Sequence, residues 1–496
     1  MSTLFSRHSR RSLTALALIS GGAYFVDETY ANILSRSLRV FVTGGQVLWD
    51  HHLHWKGVEK DDPDYRFKLR NLNQRIAQRL LHLCYENGGI YTKFGQQLAT
   101  LNHGLPKEYT ETLAKLQDQA KPVSFDKIRQ SIEAELGRSW DEIFKAFDPT
   151  PIASASLAQV HHAVDTCGQE LAVKVQYPHL ELQMSADLKV IKWAFQVTEY
   201  FFPDVQIQWL LPEFRNSLLS ELDFENEKNN SRRFADYFKH NSNVHVPLVY
   251  DHLSTKRMMT MEYINAPKIS QIESIKALNL DPIEVARVLC EVFSEMVFCH
   301  GFVHCDPHAG NIFVRQNPDI HGKYKAQLVL LDHGLYRELD DNFRKTYCDL
   351  WRAMLMRDNA LLKDCGRLDA SMSELERQKL SEELKKLRFS SVTDFLEQLP
   401  RDMLFVFRTN NMIRALNKDL GGTTRERFSI MGTFAISGHS SFYYPPNQGG
   451  YSGLMTSIVY WWHHLNLVFR LRAIDRVTAA IEFARGKPPA KVKHAG

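Results

Sequence analysis

The strongest constraint on this chain is a pair of short runs. In His304-Cys305-Asp306-Pro307-His308-Ala309-Gly310-Asn311 a carboxylate and a carboxamide stand five positions apart. Downstream, the apolar run Leu328-Val329-Leu330-Leu331 ends in Asp332-His333-Gly334. Two carboxylates and an amide suit a hard cation, because Mg²⁺ prefers oxygen ligands and takes few of them from protein. Holding such a set requires a sizeable core. With 496 residues, 44% of them hydrophobic and 24% charged, the chain can build one, in roughly two to four structural units. That composition excludes a wholly disordered, collagen-like or mucin-like chain. Lys+Arg 61 against Asp+Glu 57 leaves a formal charge of +4, which argues against a chain whose main task is coating nucleic acid. The seven cysteines form no C-x-x-C pair and no disulfide framework, and read as free thiols.

The first acidic residue is Asp27, and Arg7, Arg10 and Arg11 precede it among Ser2, Ser6, Ser9 and Ser12. This Arg-rich, Ser-rich, acid-free composition is that of a mitochondrial targeting segment. The apolar run Leu13 to Val26 is interrupted by Ser20, Gly21 and Gly22 and falls short of the roughly 17 to 25 residues of a spanning helix. It reads as a presequence, a short anchor, or both. A secretory signal is the competing reading, since a basic stretch, a short apolar run and small residues at Gly21 to Ala23 fit that pattern too. Near the other end, Leu454 to Phe469 carries Trp461, Trp462, His463 and His464 and is followed by Arg470, Arg472 and Arg476. It reads as an amphipathic or interfacial helix, or as a helix packed on the protein body.

Between these ends the periodicity predicts helix from about Phe67 to Leu116 and again from Ser124. Ser139-Trp140-Asp141-Glu142 matches a capping box and predicts another helix start. After Pro149 and Pro151 the period changes. Ser156 to Val164 and Glu170 to Gln176 read as strands joined by a hairpin over Asp165 to Gly168, and Val244 to Tyr250 with Arg257 to Ile264 as a second strand pair. Beyond Asp281 the chain reads as helical apart from Ala326 to Leu331. A small strand-rich unit before a larger helical one is an α+β, two-lobed arrangement.

Three further pieces carry chemistry. Ala172-Val173-Lys174-Val175 places a lysine inside an apolar strand, as in the phosphate-holding strand of protein kinases, and the Asp306/Asn311 spacing and Asp332-His333-Gly334 match the kinase catalytic loop and D-F-G position. Glu221-Leu222-Asp223-Phe224-Glu225-Asn226-Glu227 reads as helix, with Asp223, Glu227, Asn230 and Phe234 on one face turned inward toward cations such as Lys174. In Lys93-Phe94-Gly95-Gln96, a glycine inside a helix costs about 1 kcal/mol relative to alanine, which hints at a close backbone approach.

From about Cys84 to Leu420 the chain resembles the AarF/UbiB atypical kinases, also called AarF-domain-containing kinases. The resemblance is carried by K-x-G-Q at Lys93 to Gln96, an alanine-rich loop from Pro151 to His161, E-x-D at Glu221 and Asp223, the downstream Glu227, and H-x-D-P-H-x-G-N at His304 to Asn311. Asp332-His333-Gly334 followed by Leu335-Tyr336 is most similar to the animal AarF-domain-containing kinase one subtype, a mitochondrial one. The resemblance implies a protein-kinase-like fold that uses ATP and Mg²⁺. Asp306 would be the catalytic proton acceptor, and Asn311 and Asp332 would hold the metal. Nucleotide contacts would come from Ile152, Ala153, Ser154, Ala155, Ser156, Val160, Lys174 paired with Glu227, and the hinge at Glu262 and Tyr263. Lys93, on one helix face with Gln96, would lean into the site and pair with the Glu221/Asp223 segment. The implied organisation is a targeting or short membrane segment over 1–50, a helical extension over 51–146, an N-lobe over 147–264, a C-lobe over 265–440 and a C-terminal helical region over 441–496.

Departures from ordinary kinases sharpen the expectation. Alanines and serines stand where bare glycine backbone would approach the phosphates, Cys305 replaces the arginine that a phosphorylated activation loop would use, and no A-P-E follows Asp332. The long separation of Lys174 from Glu227 implies inserted helices. A Lys93 helix lying over the cleft would exclude a peptide, so a protein substrate is not expected. The expected partners are ATP and a mitochondrial membrane or lipid-like small molecule, with a role in lipid or coenzyme Q homeostasis, and no nucleic acid. A nucleotide-binding scaffold without turnover fits the same residues, because motifs do not measure rates. A metallohydrolase on His300, His304 and His308 is a third reading, opposed by Gly301, Pro307 and the lack of an H-E-x-x-H glutamate.

Overall fold

The computed structural model describes residues 32–55, 64–99, 105–117, 123–201, 208, 210–356 and 401–443, with scattered positions from 458 to 469. The part of the expected targeting segment before Asn32, and Cys365, lie outside the described residues. The chain divides into two compact units, one of residues 1–226 and 248–263, the other of residues 227–247 and 264–496. Residues 227–247 thus cluster with the second unit although they fall inside the expected N-lobe range.

The first unit begins with helices α1 (Ile33–Trp55), α2 (Tyr65–Asn87), α3 (Gly89–Ala99) and α4 (Lys107–Leu113), the last running into a 3-10 turn at Ala114–Gln117. The single helical stretch predicted here is broken, because Gly88 and Gly89 adopt φ of 62° and 52° and so interrupt the ladder where only glycine is relaxed. Helix α5 (Phe125–Leu136) follows, and then α6 (Trp140–Ile143) and strand β1 (Phe144–Phe147). The capping box starts only one helical turn. Its serine hydroxyl bonds the Asp141 carboxylate instead of a backbone N–H, and the chain turns extended at Phe144. Strand β1 was invisible to periodicity because a register shift between Phe144 and Ala146 removes its alternation.

Strand β2 (Ala153–Ser154) leads into β3 (Ala158–Asp165) and β4 (Glu170–Gln176), the predicted hairpin. Its turn is closed by Asp165, whose Oδ1 accepts from the Cys167 and Gln169 N–H groups at 2.8 Å, while Gly168 takes a φ of 86°. Helices α7 (Leu180–Phe201) and α8 (Leu210–Glu221) come next, and are the expected insertion between Lys174 and Glu227. Leu171, Val173 and Val175 pack on Ile128, Ile132 and Phe144, whereas Ala172 packs with Met259, Met261 and Phe224. Alternation along β4 therefore gives its two faces different cores.

The acidic run is two helices rather than one. After α8 the backbone breaks at Leu222 and Asp223, the Phe224 N–H donates to Lys256 O at 3.0 Å, and Asp223 Oδ1 accepts from the Glu225 N–H at 3.2 Å. Asp223 thereby caps α9 (Phe224–Phe238). The predicted second strand pair is also corrected. Strand β5 (Val244–His245) runs parallel to a strand of the second unit, while β6 (Met258–Glu262) pairs with β4, leaving only a Val249 to Met261 bridge between them. Pro247, which has no N–H to give a ladder, stands where the two paths part.

In the second unit a short α10 (Ile272–Ala277) precedes α11 (Pro282–Glu295), whose N-cap Asp281 accepts from the Ile283 N–H at 2.9 Å. Strands β7 (Phe302–His304), β8 (Ile312–Gln316), β9 (Ala326–Leu330) and β10 (Tyr336–Glu338) follow. Only β9 was expected. The others are three to five residues long and punctuated by the functional loops, too short to display a period. Sheet order is β5-β9-β8, with β7 and β10 as a separate antiparallel pair. Helices α12 (Asp341–Met356), α13 (Arg401–Asp419) and α14 (Thr424–Tyr443) complete the unit. Its core gathers Val285, Leu289 and Phe293 of α11 with Leu328 and Leu330 of β9 and Ile413 of α13. Toward the C-terminus Ile458, Trp461, Trp462, Leu465 and Phe469 are exposed, and among the described residues no helix is long and apolar enough to cross a membrane.

Candidate active site

Each unit carries its own share of the predicted residues. In the first, register places Lys174 opposite Val160 on β3 and Met259 on β6. Its ammonium lies 5.1 Å from the centroid of the Phe224 ring, an attraction between cation and π-face. On the same face, Val160 and Tyr263 pack with Ala158, Ala172, Met259 and Met261 in one apolar cluster. The Tyr263 ring also meets His162 at 4.4 Å, and the Tyr263 and Glu262 N–H groups donate to Glu170 O and Leu248 O.

The alanine-rich loop is tied down by its own backbone. Ala153 and Ser154 pair with Val160 and Gln159, the Ala155 N–H donates to Ala158 O at 2.8 Å, and Tyr177 OH donates to Ala155 O at 3.0 Å. Behind it lies a network that sequence reading missed. Gln159 and His161 are wholly buried: Gln159 accepts from the Val123 N–H at 2.9 Å, and His161 Nδ1 donates to Asp148 O at 2.8 Å while its Nε2 accepts from Gln159. Burial lowers the His161 pKa and keeps the ring neutral.

Lys93 and Glu221 form an ion pair at 2.5 Å, each side chain 17% exposed. Gln96 Nε2 donates to Leu116 O at 2.9 Å. Gly95 is where the close approach occurs: a Cβ there would collide with Leu116 Cδ1 and lie 3.0 Å from Cys84 Sγ. Asp223, the other acidic member of the motif, caps α9 as described above.

In the second unit the catalytic-loop residues are locked by hydrogen bonds. The Asp306 N–H donates to His304 Nδ1 at 3.1 Å, which puts the ring proton of this buried histidine on Nε2. Burial lowers the His304 pKa, so the ring stays neutral. Asn311 Nδ2 donates to Asp306 O at 3.3 Å and the Leu331 N–H donates to Asn311 O at 3.0 Å, tying the loop to the end of β9. Because its N–H is spent on Asp306, Asn311 keeps its amide oxygen as an acceptor. Asp332 Oδ1 accepts from the Gly334 N–H at 2.9 Å. An amide oxygen and a carboxylate fit Mg²⁺, which retains most of its water.

His333 stands where ordinary kinases have phenylalanine, and is 1% exposed. Its Nε2 donates to Leu330 O at 3.1 Å, so Nδ1 accepts from Tyr336 OH at 2.9 Å. Burial pushes the Tyr336 phenol well above its usual range and holds it as a donor. Asn230 Nδ2 donates to His333 O at 3.0 Å, and buried Glu227 lies 3.5 Å from the His333 N–H. Glu227 and Asn230 of α9 thus both reach the Asp332 loop. Arg408, on α13 and 102 residues from Asp306, approaches its carboxylate at 3.4 Å, a contact with no local sequence signal.

The histidines of the zinc alternative have other partners. His300 stacks on Tyr237, His304 serves Asp306, and His308 accepts from the Gly310 N–H. Among the described residues no group of three His, Cys, Asp or Glu could hold a metal ion. Cys84, Cys167, Cys290, Cys299, Cys305 and Cys348 are free thiols, and burial pushes Cys305 up to about 12.

A lysine on a strand, an aspartate and asparagine in one loop, and a second aspartate after a buried strand match the pattern of a kinase-like phosphotransferase with a protein-kinase-like fold. The ABC1 atypical kinase-like domain matches residues 115–365. AarF domain-containing protein kinase 1 of Xenopus laevis is 34% identical over 440 residues, covering 83% of this chain and 84% of that protein. The chain therefore belongs to the ABC1/AarF family of atypical kinases. Secreted RxLR effector protein 27 of Plasmopara viticola is 75% identical over 225 residues, 45% of this chain and 96% of that protein. The letters R-x-L-R also occur here as Arg36-Ser37-Leu38-Arg39, inside α1, where Arg36 is buried on Asp187 at 2.5 Å. The solved structure of Rv3197 with erythromycin from Mycobacterium tuberculosis matches 72% of this chain and 95% of that chain, at 22% identity and a TM-score of 0.49.

Proposed function

We propose that this protein binds Mg-ATP and transfers or hydrolyses its terminal phosphate, acting on a lipid-like small molecule at a mitochondrial membrane and in lipid or coenzyme Q homeostasis. The observation that carries the reading is the Asp306–Asn311–Asp332 set, packed beside the buried histidines His304 and His333. Lys174 and the alanine-rich loop would hold the phosphates, the Val160–Tyr263 floor the base, and Asp306 would take the proton of the attacking hydroxyl. Bound Mg²⁺, held by Asn311 and Asp332, would neutralise charge on the phosphates. Arg408, 3.4 Å from the Asp306 carboxylate, would help to orient it. Against a protein acceptor stand Cys305 in place of arginine and the missing A-P-E.

The test is phosphate release from Mg-ATP by the full chain, with and without lipid vesicles, beside Asp332→Ala. Release that vanishes in the variant supports the reading. Nucleotide binding without release under any condition supports instead a scaffold without turnover, and wild-type release by Asp332→Ala overturns the catalytic assignment. The acid-free, Arg/Ser-rich segment supports mitochondrial targeting, whereas the name of the Plasmopara viticola relative favours the secretory alternative. A fluorescent fusion that enters the secretory route would remove the mitochondrial part of the proposal and leave the chemistry standing.

A further inference from the structure

A phosphoryl group in transfer spreads negative charge over its three equatorial oxygens, and enzymes meet that charge with metal ions and with arginine. The catalytic loop brings no such side chain of its own, because the run from His304 to Asn311 holds neither lysine nor arginine. The cation comes from α13. Arg408 Nη2 stands 3.4 Å from Asp306 Oδ1, with the arginine side chain 26% exposed and the aspartate side chain 22%. The helix is docked so as to hold that position. Val406 packs with Val303 and Cys305 in one buried cluster, and the hydroxyl of buried Thr409 donates to His304 O at 3.5 Å. At the first turn of α13, Asp402 accepts from Arg337 Nε and from the Asp340 N–H, both at 3.1 Å. One helix thus braces the catalytic loop and the segment that follows Asp332.

The contact with Asp306 is not that of a finished ion pair. An arginine committed to a carboxylate commonly lies at about 2.7–2.9 Å and engages it through two nitrogens. Arg79 meets Asp50 in that way, through Nε at 2.6 Å and Nη2 at 3.3 Å. Arg408 offers one nitrogen at a longer distance, and its buried Nε has no hydrogen-bond partner among the described residues. A buried donor left unpaired is costly and calls for a role other than packing. A guanidinium carries five N–H donors in a planar fork that matches phosphate oxygens. Among the described residues most of that fork is uncommitted, beside the carboxylate assigned to proton transfer.

We propose that Arg408 is a catalytic arginine supplied in cis, whose uncommitted donors bind the equatorial oxygens of the phosphoryl group as it passes to its acceptor. In that step Asp306 takes the proton of a water or alcohol hydroxyl, and the hydroxyl oxygen bonds to the terminal phosphorus. The bond from that phosphorus to the bridging oxygen breaks, and its electron pair leaves with ADP. Arg408 stays protonated throughout and supplies donors where the charge is spread. The inference rests on the Mg-ATP chemistry proposed above and adds a residue to it.

The test compares the full chain with Arg408→Ala and Arg408→Lys, in phosphate release and in thermal melting. Melting is followed with Mg-ATP and with Mg-ADP plus aluminium fluoride, a mimic of the phosphoryl group in transfer. Arg408→Ala should lower kcat by about ten- to a hundredfold, the span of one hydrogen bond to a charged group, with KM for ATP and the ATP-induced melting shift unchanged. It should also lose the extra melting shift that aluminium fluoride adds to Mg-ADP. Millimolar guanidinium should restore part of the release in Arg408→Ala and none in Asp306→Asn. Arg408→Lys, which keeps the charge without the fork, should fall between. Wild-type release by Arg408→Ala overturns the inference, and so does faster release, which would make the contact a brake on Asp306. A slowed reaction with a wild-type aluminium fluoride shift and no rescue overturns it too, because Arg408 would then only hold the loop. If Arg408→Ala does not fold, Arg408→Lys and Arg408→Gln carry the same comparison. Absence of both release and the aluminium fluoride shift in the wild-type chain overturns the Mg-ATP chemistry itself, whereas the other negative outcomes leave that chemistry standing and remove only Arg408 from it.

Discussion

The two units secure their candidate site residues by different physics. In the first, strand register sets Lys174 beside the Phe224 ring, and Lys93 reaches Glu221 in an ion pair. In the second, Asp306, Asn311 and Asp332 sit in a chain of hydrogen bonds through His304, His333, Tyr336, Asn230 and Glu227. Register and packing hold a side chain by the bulk of its neighbours, and tolerate a change of one polar atom. A buried network does not, because each lost partner strands a polar group away from water. Single polar substitutions in that network should therefore cost chemistry, and losses from overpacking should appear in both units.

The largest effect expected is in the network: Asp306→Asn lowers phosphate release by about a hundredfold or more while leaving ATP-induced stabilisation in place. Equal losses of release and binding would show that Asp306 holds the loop together instead of accepting a proton. Next are two glycines that compare packing between the units. At Gly438 on α14 a Cβ would run into the Phe298 carbonyl, backbone that cannot step aside, so Gly438→Ala belongs at the upper end of the about 1–3 kcal/mol typical of overpacking. Gly95→Ala meets only side chains, Leu116 and Cys84, and should cost less within that range. Denaturant melts of both variants that reverse this order would break the contrast. Tyr336→Phe, which removes only the hydroxyl bonded to His333, should cost about 1 kcal/mol and raise the ATP concentration needed for half-maximal release.

The smallest effect is a pH dependence in the first unit. His161 is buried neutral with a lowered pKa, so on acidification the unfolded chain takes up a proton near pH 6.5 before the folded one can. Stability contributed by this ring is complete above that pH and declines below it, by at most about 1.4 kcal/mol per pH unit. Melting followed from pH 7.5 down to the acid range, compared with His161→Gln, should show a shallower decline in the variant. A variant that declines as steeply would assign acid sensitivity to other groups.

Much of the fold was legible because its signals were local. The hairpin over Asp165 to Gly168 and strand β9 each rest on residues near one another in the chain. The failures were also physical. A bulge hid β1, Asp223 chose to cap a helix instead of continuing one, and Val244–His245 paired across a long sequence distance. At the site, residue types and spacing were readable, whereas Arg408, the Gln159–His161 network and the bonds around His333 were not.

By itself, then, the sequence determined which residue types stand at the candidate site and the order in which they come: a lysine on a strand, an acidic run, an aspartate and asparagine in one loop, an aspartate after a buried strand. It could do so because those relations span a few residues of one backbone. Only the tertiary structure decided which partners hold them, which histidines are buried and neutral, and which arginine comes to stand beside Asp306. Those outcomes depend on which distant segments share a core and on what water can reach, and no window along the chain contains either.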